Sequence, residues 1–273
     1  MAADVSVTMT AEEGADIVWR ARLAGDRAPE ALRGTLTLET AYRIQDIVAA
    51  RLVAAGERQT GWKIACNSDN FRRQNNGAGP ISGYLFSGGA YQTGRRIDYA
   101  ALTVSPKLES ELCLVMKRRL GAARVTREDA AAAIGAIAPA FEIPCLPSPK
   151  DGKTISIAHL DQPMCVADNA YNMGYVLGAP VPFEVGALDL ADVVAQERCN
   201  GETTQQGRAR DSIDDHLEAL AWLAMHLHGR GLSIEPGQHV MSGNCLPAVM
   251  TASGGQHWET TFSSVGTVSI AFV

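Results

Sequence analysis

The sequence predicts an α+β protein: a small helical region over residues 1–58, then a β-rich region over residues 59–273 that carries the chemistry. Three observations predict it. Apolar residues recur at helical spacing up to about Ala55, period-two runs dominate from Thr60, and short strand-like runs separated by glycines close the chain. At 273 residues there is ample length for one large core or two modest ones.

Residues 1–9 read as a loose end. Thr10-x-x-Glu13 matches a capping box and opens a helix to about Ala24, with Ile17, Val18 and Ala21 on one face. Gly25–Gly34 is a loop. A second helix runs from Leu38 to about Ala55, apolar at Ala41, Ile44, Ile47, Val48 and Leu52, and stops at Gly56. Thr60–Cys66 then reads as a strand, with Trp62, Ile64 and Cys66 on one face and Gly61, Lys63 and Ala65 on the other. A lysine between two small residues leaves room for a ligand beside its ammonium; a surface lysine reaching for water fits the pattern equally well. Asn67–Gly83 is polar and glycine-containing, a mobile loop of the kind that covers sites. Its glycines have the wrong spacing for a dinucleotide-binding turn.

Pro106–Met116 is the most informative stretch. Its alternation puts Glu109 and Glu111 side by side on one face, continued by Cys113 and Val115, while Leu108, Ser110, Leu112, Leu114 and Met116 make the other. Two solvated glutamates on an outward face would satisfy this pattern. So would a pocket floor, because the carboxylate face runs on into apolar residues. Paired carboxylates repel, and burying them unpaired is costly. A hard cation such as Mg²⁺ or Mn²⁺ relieves both problems.

Thr126-x-x-Asp129 caps an alanine-rich helix expected to end before Pro139. In the next apolar run Glu142 stands alone, as a strand-edge carboxylate facing water or as a third oxygen ligand to the Glu109/Glu111 pair. Pro147–Asp161 is a second lid candidate. Strands over Leu190–Glu197 and Gly201–Gln205 are joined by Cys199-Asn200-Gly201, a hairpin turn. A helix from Ser212 to about His228 has Asp214 and Asp215 at its positive end and His226, His228 and Arg230 at its negative end. His226 and His228 are two apart, so on a helix they diverge and make poor partners for one metal. Gln238–Ser242, Trp258–Phe262 and Thr267–Phe272 are the closing strands.

Composition excludes several classes. A net charge of −6 with only isolated Arg-Arg pairs argues against a nucleic-acid partner. No run approaches the roughly 18 apolar residues of a membrane span, and the N-terminus lacks the pattern of a signal peptide. Six scattered cysteines without C-x-x-C indicate neither a zinc site nor a disulfide framework, as expected of a cytoplasmic protein. No serine nucleophile elbow or H-E-x-x-H is present.

In order along the chain stand Gly61-Trp62-Lys63-Ile64, Gly83-Tyr84-Leu85-Phe86, Pro106-Lys107-Leu108-Glu109-Ser110-Glu111-Leu112, Pro139-Ala140-Phe141-Glu142-Ile143 and Val166-Ala167-Asp168-Asn169-Ala170. Ala221-Trp222-Leu223-Ala224, Gly237–Gly243 and Val265-Gly266-Thr267-Val268 follow. From about residue 38 onward this set resembles the 2-keto-4-pentenoate hydratase and 4-oxalocrotonate decarboxylase group of the fumarylacetoacetate hydrolase superfamily. The resemblance implies a mixed β-roll or sandwich behind a small helical region. It implies Mg²⁺ or Mn²⁺ held by Glu109, Glu111 and Glu142, Lys63 near the 2-oxo acid end of the substrate, Asp168 as an orienting or acid–base group, and a homo-oligomer. The activity expected is hydration of a small 2-hydroxydienoic or 2-oxo-enoic acid to a 4-hydroxy-2-oxo acid. Alternatives are decarboxylation of a 2-oxo-3-enedioate, with Arg72, Arg73, Lys150 or Lys153 holding the second carboxylate, and a catalytically silent scaffolding homologue.

Three departures from the group stand out. Asp214-Asp215-His216-Leu217 replaces Gly-His-Pro-Leu and aligns Asp215 with the histidine. Ser242-Gly243-Asn244 replaces Thr-Gly-Ser, and proline-rich sequence replaces the Ser-Arg-Ile after Glu142. They bear on the substrate rather than the metal.

Overall fold

The computed structural model describes residues 9–27, 29–75, 77–145 and 160–273. The expected second lid, with Lys150 and Lys153, falls almost wholly outside the described residues, as does nearly all of the expected loose N-terminal end. The first helix, α1 (Ala11–Leu23), begins at the expected capping box: Thr10 Oγ1 accepts from Glu13 N–H at 3.3 Å, and Glu13 Oε2 accepts from Thr10 N–H at 3.0 Å. α2 is Leu38–Ala54 and β1 is Gln59–Ala65.

The stretch expected as a mobile loop instead contains a short helix, α3 (Asp69–Gln74), capped by Ser68, and the start of β2 (Ile81–Phe86). α3 is polar and has no fully buried residue, so no apolar period announces it. β3 (Ala90–Gln92), β4 (Arg95–Ile97) and β5 (Lys107–Met116) follow. The alanine-rich helix, α4 (Arg127–Ala133), has its expected capping box but stops well short of Pro139. The run from Ile134 is claimed by a strand, β6 (Ile134–Pro144), because it pairs with β5 over almost its whole length.

Next come α5 (Gln162–Ala167), β7 (Asn172–Leu177), β8 (Val181–Pro182), β9 (Val194–Cys199) and β10 (Glu202–Arg208). β9 and β10 form the expected hairpin, with Asn200 and Gly201 at φ 51° and 87° as a primed turn requires. α6 spans His216–Gly229 rather than starting at Ser212. Asp215 is extended at φ −160° and caps the helix, accepting from the Leu217 and Glu218 amides. Asp214 lies outside it and holds α3 instead, through the Asp69 amide and Arg72. β11 (His239–Asn244), β12 (Met250–Thr251), β13 (Gln256–Phe262) and β14 (Gly266–Phe272) close the chain.

Two mixed sheets result. The larger runs β2-β1-β11-β5-β6-β7-β3, with β12 beside β5 and β8 beside β6; the smaller runs β10-β9-β13-β14-β4. β2 and β3 end opposite sides of the larger sheet, yet only Ser87–Gly89 separates them in the chain. The sheet therefore curls until its edges meet, giving the expected roll. Leu108, Leu112, Leu114 and Phe141 on its outer face share one core with Trp258, Phe262, Ile270 and Phe272 of the smaller sheet and with Leu220 and Leu227 of α6. Its inner face holds Leu85, Cys113, Ala140, Tyr175 and Met241. α1 and α2 pack Val18, Ile44 and Val48 against Ile81 and against Met164 and Val166 of α5. All six cysteines are free thiols. Among the described residues no helix is long and apolar enough to cross a membrane.

Candidate metal and substrate site

The period-two face of β5 enters the roll. Glu109 stands directly opposite Glu142 in the antiparallel β5–β6 pair, and Glu111 follows two residues along on the same face. One oxygen from each of the three carboxylates lies within 4.8 Å of the others. From β1, Lys63 reaches the same place: its Nζ is 2.8 Å from Glu142 Oε1 and donates to the Ala170 carbonyl at 3.2 Å. Lys63, Glu111 and Glu142 are almost wholly inaccessible, at 2%, 0% and 0% exposure, which rules out the surface-lysine and solvated-glutamate readings.

Three ionised carboxylates against one ammonium would leave this buried cluster negative, and the site resists that charge. Burial, and then the charge of Glu142, push the Glu109 carboxyl up to about 7. Burial with Glu142 and Glu109 raises Glu111 well above the carboxylate range. Burial also opposes the charge on Lys63, but Glu142, Glu109 and Glu111 outweigh it and hold the ammonium's pKa above its ordinary value. The donor set fits a hard divalent cation. Glu111 Oε1 and Glu142 Oε2 are buried with no hydrogen-bond partner among the described residues, while each carboxylate's other oxygen is fixed. Glu111 Oε2 accepts from the Gly243 amide at 2.8 Å, and Glu142 Oε1 accepts from Asn172 Nδ2 at 2.9 Å. Oxygen-only ligands, held by hydrogen bonds on their far sides, suit Mg²⁺ or Mn²⁺.

Asn172 carries no signal that sequence reasoning could use, and Gly243, though it stands in a motif of the group, gives no sign of its contact with Glu111, because each acts through a partner distant in the chain. Gly243 sits at φ 113°, a conformation natural to glycine, and a Cβ there would meet the Asn67 amide within 3.1 Å. Gly83, opposite Lys63 in the β1–β2 pair, is also tightly placed: a Cβ would lie 2.8 Å from the Asn169 carbonyl and 3.1 Å from Lys63 Cγ.

Asn169, Ala170 and Tyr171 form one left-handed turn, at φ 59°, 48° and 57°, that aims the Ala170 carbonyl at Lys63. Such a turn persists only where its surroundings over-determine it. Asn169 clasps the Tyr84 backbone at both ends, through Oδ1 at 2.7 Å and Nδ2 at 2.9 Å. Asp168, expected as an orienting or acid–base group, is not among the described cleft-lining residues. Its carboxylate is buried against Arg22 and Arg27, each 3.3 Å from Oδ1, and ties the turn to the N-terminal region.

A cleft of about 360 Å³ opens over the cluster, lined by Lys63, Glu109, Tyr171, Leu246 and Pro247, with Phe71 of α3 and the Asp211–Ser212 turn on its walls. The divergent positions have structural roles. Asp215 caps α6 and pairs with Arg127 at 2.8 Å. His216 is buried, with Nδ1 2.9 Å from Ser242 Oγ. Asn244 Oδ1 accepts from the amide of Ser110, the residue between the two β5 glutamates.

No family model matches the chain. It is 31% identical over 261 residues to the 2-hydroxyhexa-2,4-dienoate hydratase of Comamonas testosteroni, covering 91% of this chain and 96% of that protein. It is 29% identical over 265 residues to the 2-keto-4-pentenoate hydratase of Paraburkholderia xenovorans, covering 96% and 94%. Among solved structures, 4-oxalocrotonate decarboxylase from Pseudomonas putida G7, complexed with magnesium and adipate, superimposes with a TM-score of 0.84 at 24% identity, over 97% of this chain and 99% of that one. Fumarylpyruvate hydrolase from Pseudomonas aeruginosa, in complex with Mn²⁺ and pyruvate, gives 0.60 at 15% identity, over 79% and 89%. The fold is the one expected of the fumarylacetoacetate hydrolase superfamily, and the likeness over nearly the whole length agrees with the ordered motifs: the chain belongs to the family of the 2-hydroxyhexa-2,4-dienoate and 2-keto-4-pentenoate hydratases.

Proposed function

We propose that this protein is a divalent-metal-dependent hydratase that converts a short monocarboxylic 2-hydroxydienoic acid, through its 2-oxo-enoic tautomer, into a 4-hydroxy-2-oxo acid. The observation that carries the reading is a buried lysine against three carboxylates, in a cleft whose described lining holds no second cation. Mg²⁺ or Mn²⁺ on Glu109, Glu111 and Glu142 would supply Lewis acidity toward the 2-oxo oxygen. Lys63, held as an ammonium by its neighbours, serves as the positive anchor for the substrate carboxylate. The Ala170 carbonyl and Glu142 orient its Nζ, and Asn172 orients Glu142 in turn.

Of the cations expected to hold a second substrate carboxylate, Lys150 and Lys153 lie outside the described residues, and the described lining offers none. Arg72 is engaged by Asp69 and Asp214, Arg73 donates to the Asp69 carbonyl, and Lys107 donates to Thr251 Oγ1 at 2.7 Å. None of the three lines the cleft, whereas Asp211 does. A silent scaffold would have no use for Lys63, Glu109, Glu111 and Glu142 in one buried cluster. The homo-oligomeric state belongs to the same proposal, and sedimentation analysis tests it.

The deciding experiment offers 2-hydroxypenta-2,4-dienoate and a C6 2-oxo-3-enedioate side by side, with and without Mg²⁺ or Mn²⁺. Loss of the dienoate absorbance with formation of the hydroxy acid is expected only with metal. Carbon dioxide release from the diacid without hydration of the monoacid reverses the assignment.

A further inference from the structure

Directly behind the carboxylates, between the two sheets, the otherwise apolar core contains a polar ring. Glu197 of β9 is 0% exposed, and neutral donors hold it: Ser110 Oγ to Oε2 at 3.1 Å, with Thr204 Oγ1 at 2.7 Å and Gln205 Nε2 at 3.0 Å to Oε1. Thr260, its cross-strand neighbour, lies 2.8 Å from the Ser110 hydroxyl. Burial raises the Glu197 carboxyl above its ordinary value, against the pull of these donors.

The ring closes through the cleft wall. Gln205 brackets Ala248, donating to its carbonyl at 3.0 Å and accepting from its amide at 3.1 Å. Asn244 Nδ2 donates to the same carbonyl at 3.2 Å, and Asn244 Oδ1 accepts from the amides of Ser110 at 3.1 Å and Leu246 at 3.2 Å. Cys245 N–H returns to the Ser110 carbonyl at 2.8 Å. The register of β11 against β5 shifts between Met241 and Asn244, and these bonds replace the interrupted ladder. Gly243, Asn244, Leu246 and Pro247 line the cleft, and the Gly243 amide holds Glu111.

A buried carboxylate is a poor way to stabilise a core, since an apolar side chain of similar volume serves as well. Here its bonds converge on the residue between Glu109 and Glu111 and on the wall beside them. We infer that Glu197 and Asn244 are positioning residues that lock the 244–248 wall against the carboxylate strand, and thereby set where the distal end of the substrate lies. The inference rests on the hydratase reading for the identity of that substrate, but the ring itself is measurable without turnover.

The test compares the wild type with Glu197→Gln, Asn244→Ala and the double variant. A glutamine at 197 turns its amide N–H₂ toward the Ser110 hydroxyl, which then accepts where it donated, and leaves Thr204 and Gln205 a neutral, weaker acceptor, so the ring loosens. Hydrogen exchange at the Leu246 and Ala248 amides should accelerate in all three variants, while Mn²⁺ titration by electron paramagnetic resonance stays unchanged. KM for the dienoate should rise about tenfold with kcat within about threefold, and the double variant should be no worse than the worse single one, because both act through one ring. Unchanged exchange, KM effects that multiply in the double variant, or a lower melting temperature with KM untouched would each overturn the inference. If Glu197→Gln does not fold, Gln205→Ala on the edge strand β10 carries the same expectation. A wild type that does not turn over the dienoate would remove the hydratase reading, while the exchange measurement would still decide for or against the ring.

Discussion

Lys63 and Glu142 form a buried ion pair, Nζ to Oε1 at 2.8 Å, in which the second Glu142 oxygen has no hydrogen-bond partner among the described residues. One carboxylate thus serves two charges: an ammonium fixed by the fold on one oxygen, and room for a cation on the other. The pair couples the strand that carries the lysine to the strands that carry the three clustered glutamates.

Treatment with a chelator should abolish turnover, and Mg²⁺ or Mn²⁺ should restore it. Glu109→Gln and Glu142→Gln should each weaken metal binding by at least about tenfold, because an amide is a poorer ligand for a hard cation. Isothermal titration with Mn²⁺ measures this. Full activity in rigorously metal-free buffer would sink the metal assignment.

Lys63→Met should fold and bind metal yet lose roughly a hundredfold or more in kcat/KM, the scale of losing one preorganised charge at a reacting group. Saturation kinetics at fixed Mg²⁺ decides it. Normal turnover by this variant would leave Lys63 with no substrate role.

Asn172→Ala tests how Glu142 is oriented. Losing the 2.9 Å bond to Oε1 should cost about tenfold in metal affinity, as removing a hydrogen bond to a ligating group does. An unaltered Mn²⁺ isotherm would show that Lys63 alone fixes the carboxylate.

Asp168→Asn should chiefly destabilise the fold. It leaves Arg22 buried beside Arg27 without a full counter-charge, a loss on the order of 3 kcal/mol. Urea unfolding should register it, with kcat per folded molecule largely kept. Wild-type stability with kcat lost would restore the acid–base role.

His216 adds a pH dependence to stability. Burial, only partly opposed by the Asp215 charge, lowers its pKa from 6.5 to about 4. Above pH 6.5 the imidazole is neutral in both states and its contribution is fully present. As pH falls through 6.5 the unfolded chain takes up a proton that the folded one resists, so stability is lost progressively until about pH 4, by at most about 3 kcal/mol. Urea midpoints measured from pH 7.5 to 4 should show this slope together with that of His226, whose buried imidazole is lowered to about 4 beside Arg230, and His216→Asn should reduce it. An unchanged slope would exclude His216 as a source.

Read alone, the sequence determined what local rules can reach. The capping boxes at Thr10 and Thr126, the Asn200-Gly201 hairpin and the shared face of Glu109 and Glu111 follow from spacing within a few residues, and ordered motifs carried the family. Tertiary structure decided the rest. Pairing of β6 with β5 ended the alanine-rich helix early and set Glu142 opposite Glu109, which the Glu142 run alone left open between water and a metal. Asp215 set where α6 begins, Asp168 was taken by arginines from the N-terminal region, and Asn244 was recruited to the bulge behind Ser110. Each of these turns on a partner distant in the chain, and the identity of a polar residue does not reveal whom it will meet. Periodicity reports the face on which a side chain lies; only the closed roll determines what lies across from it.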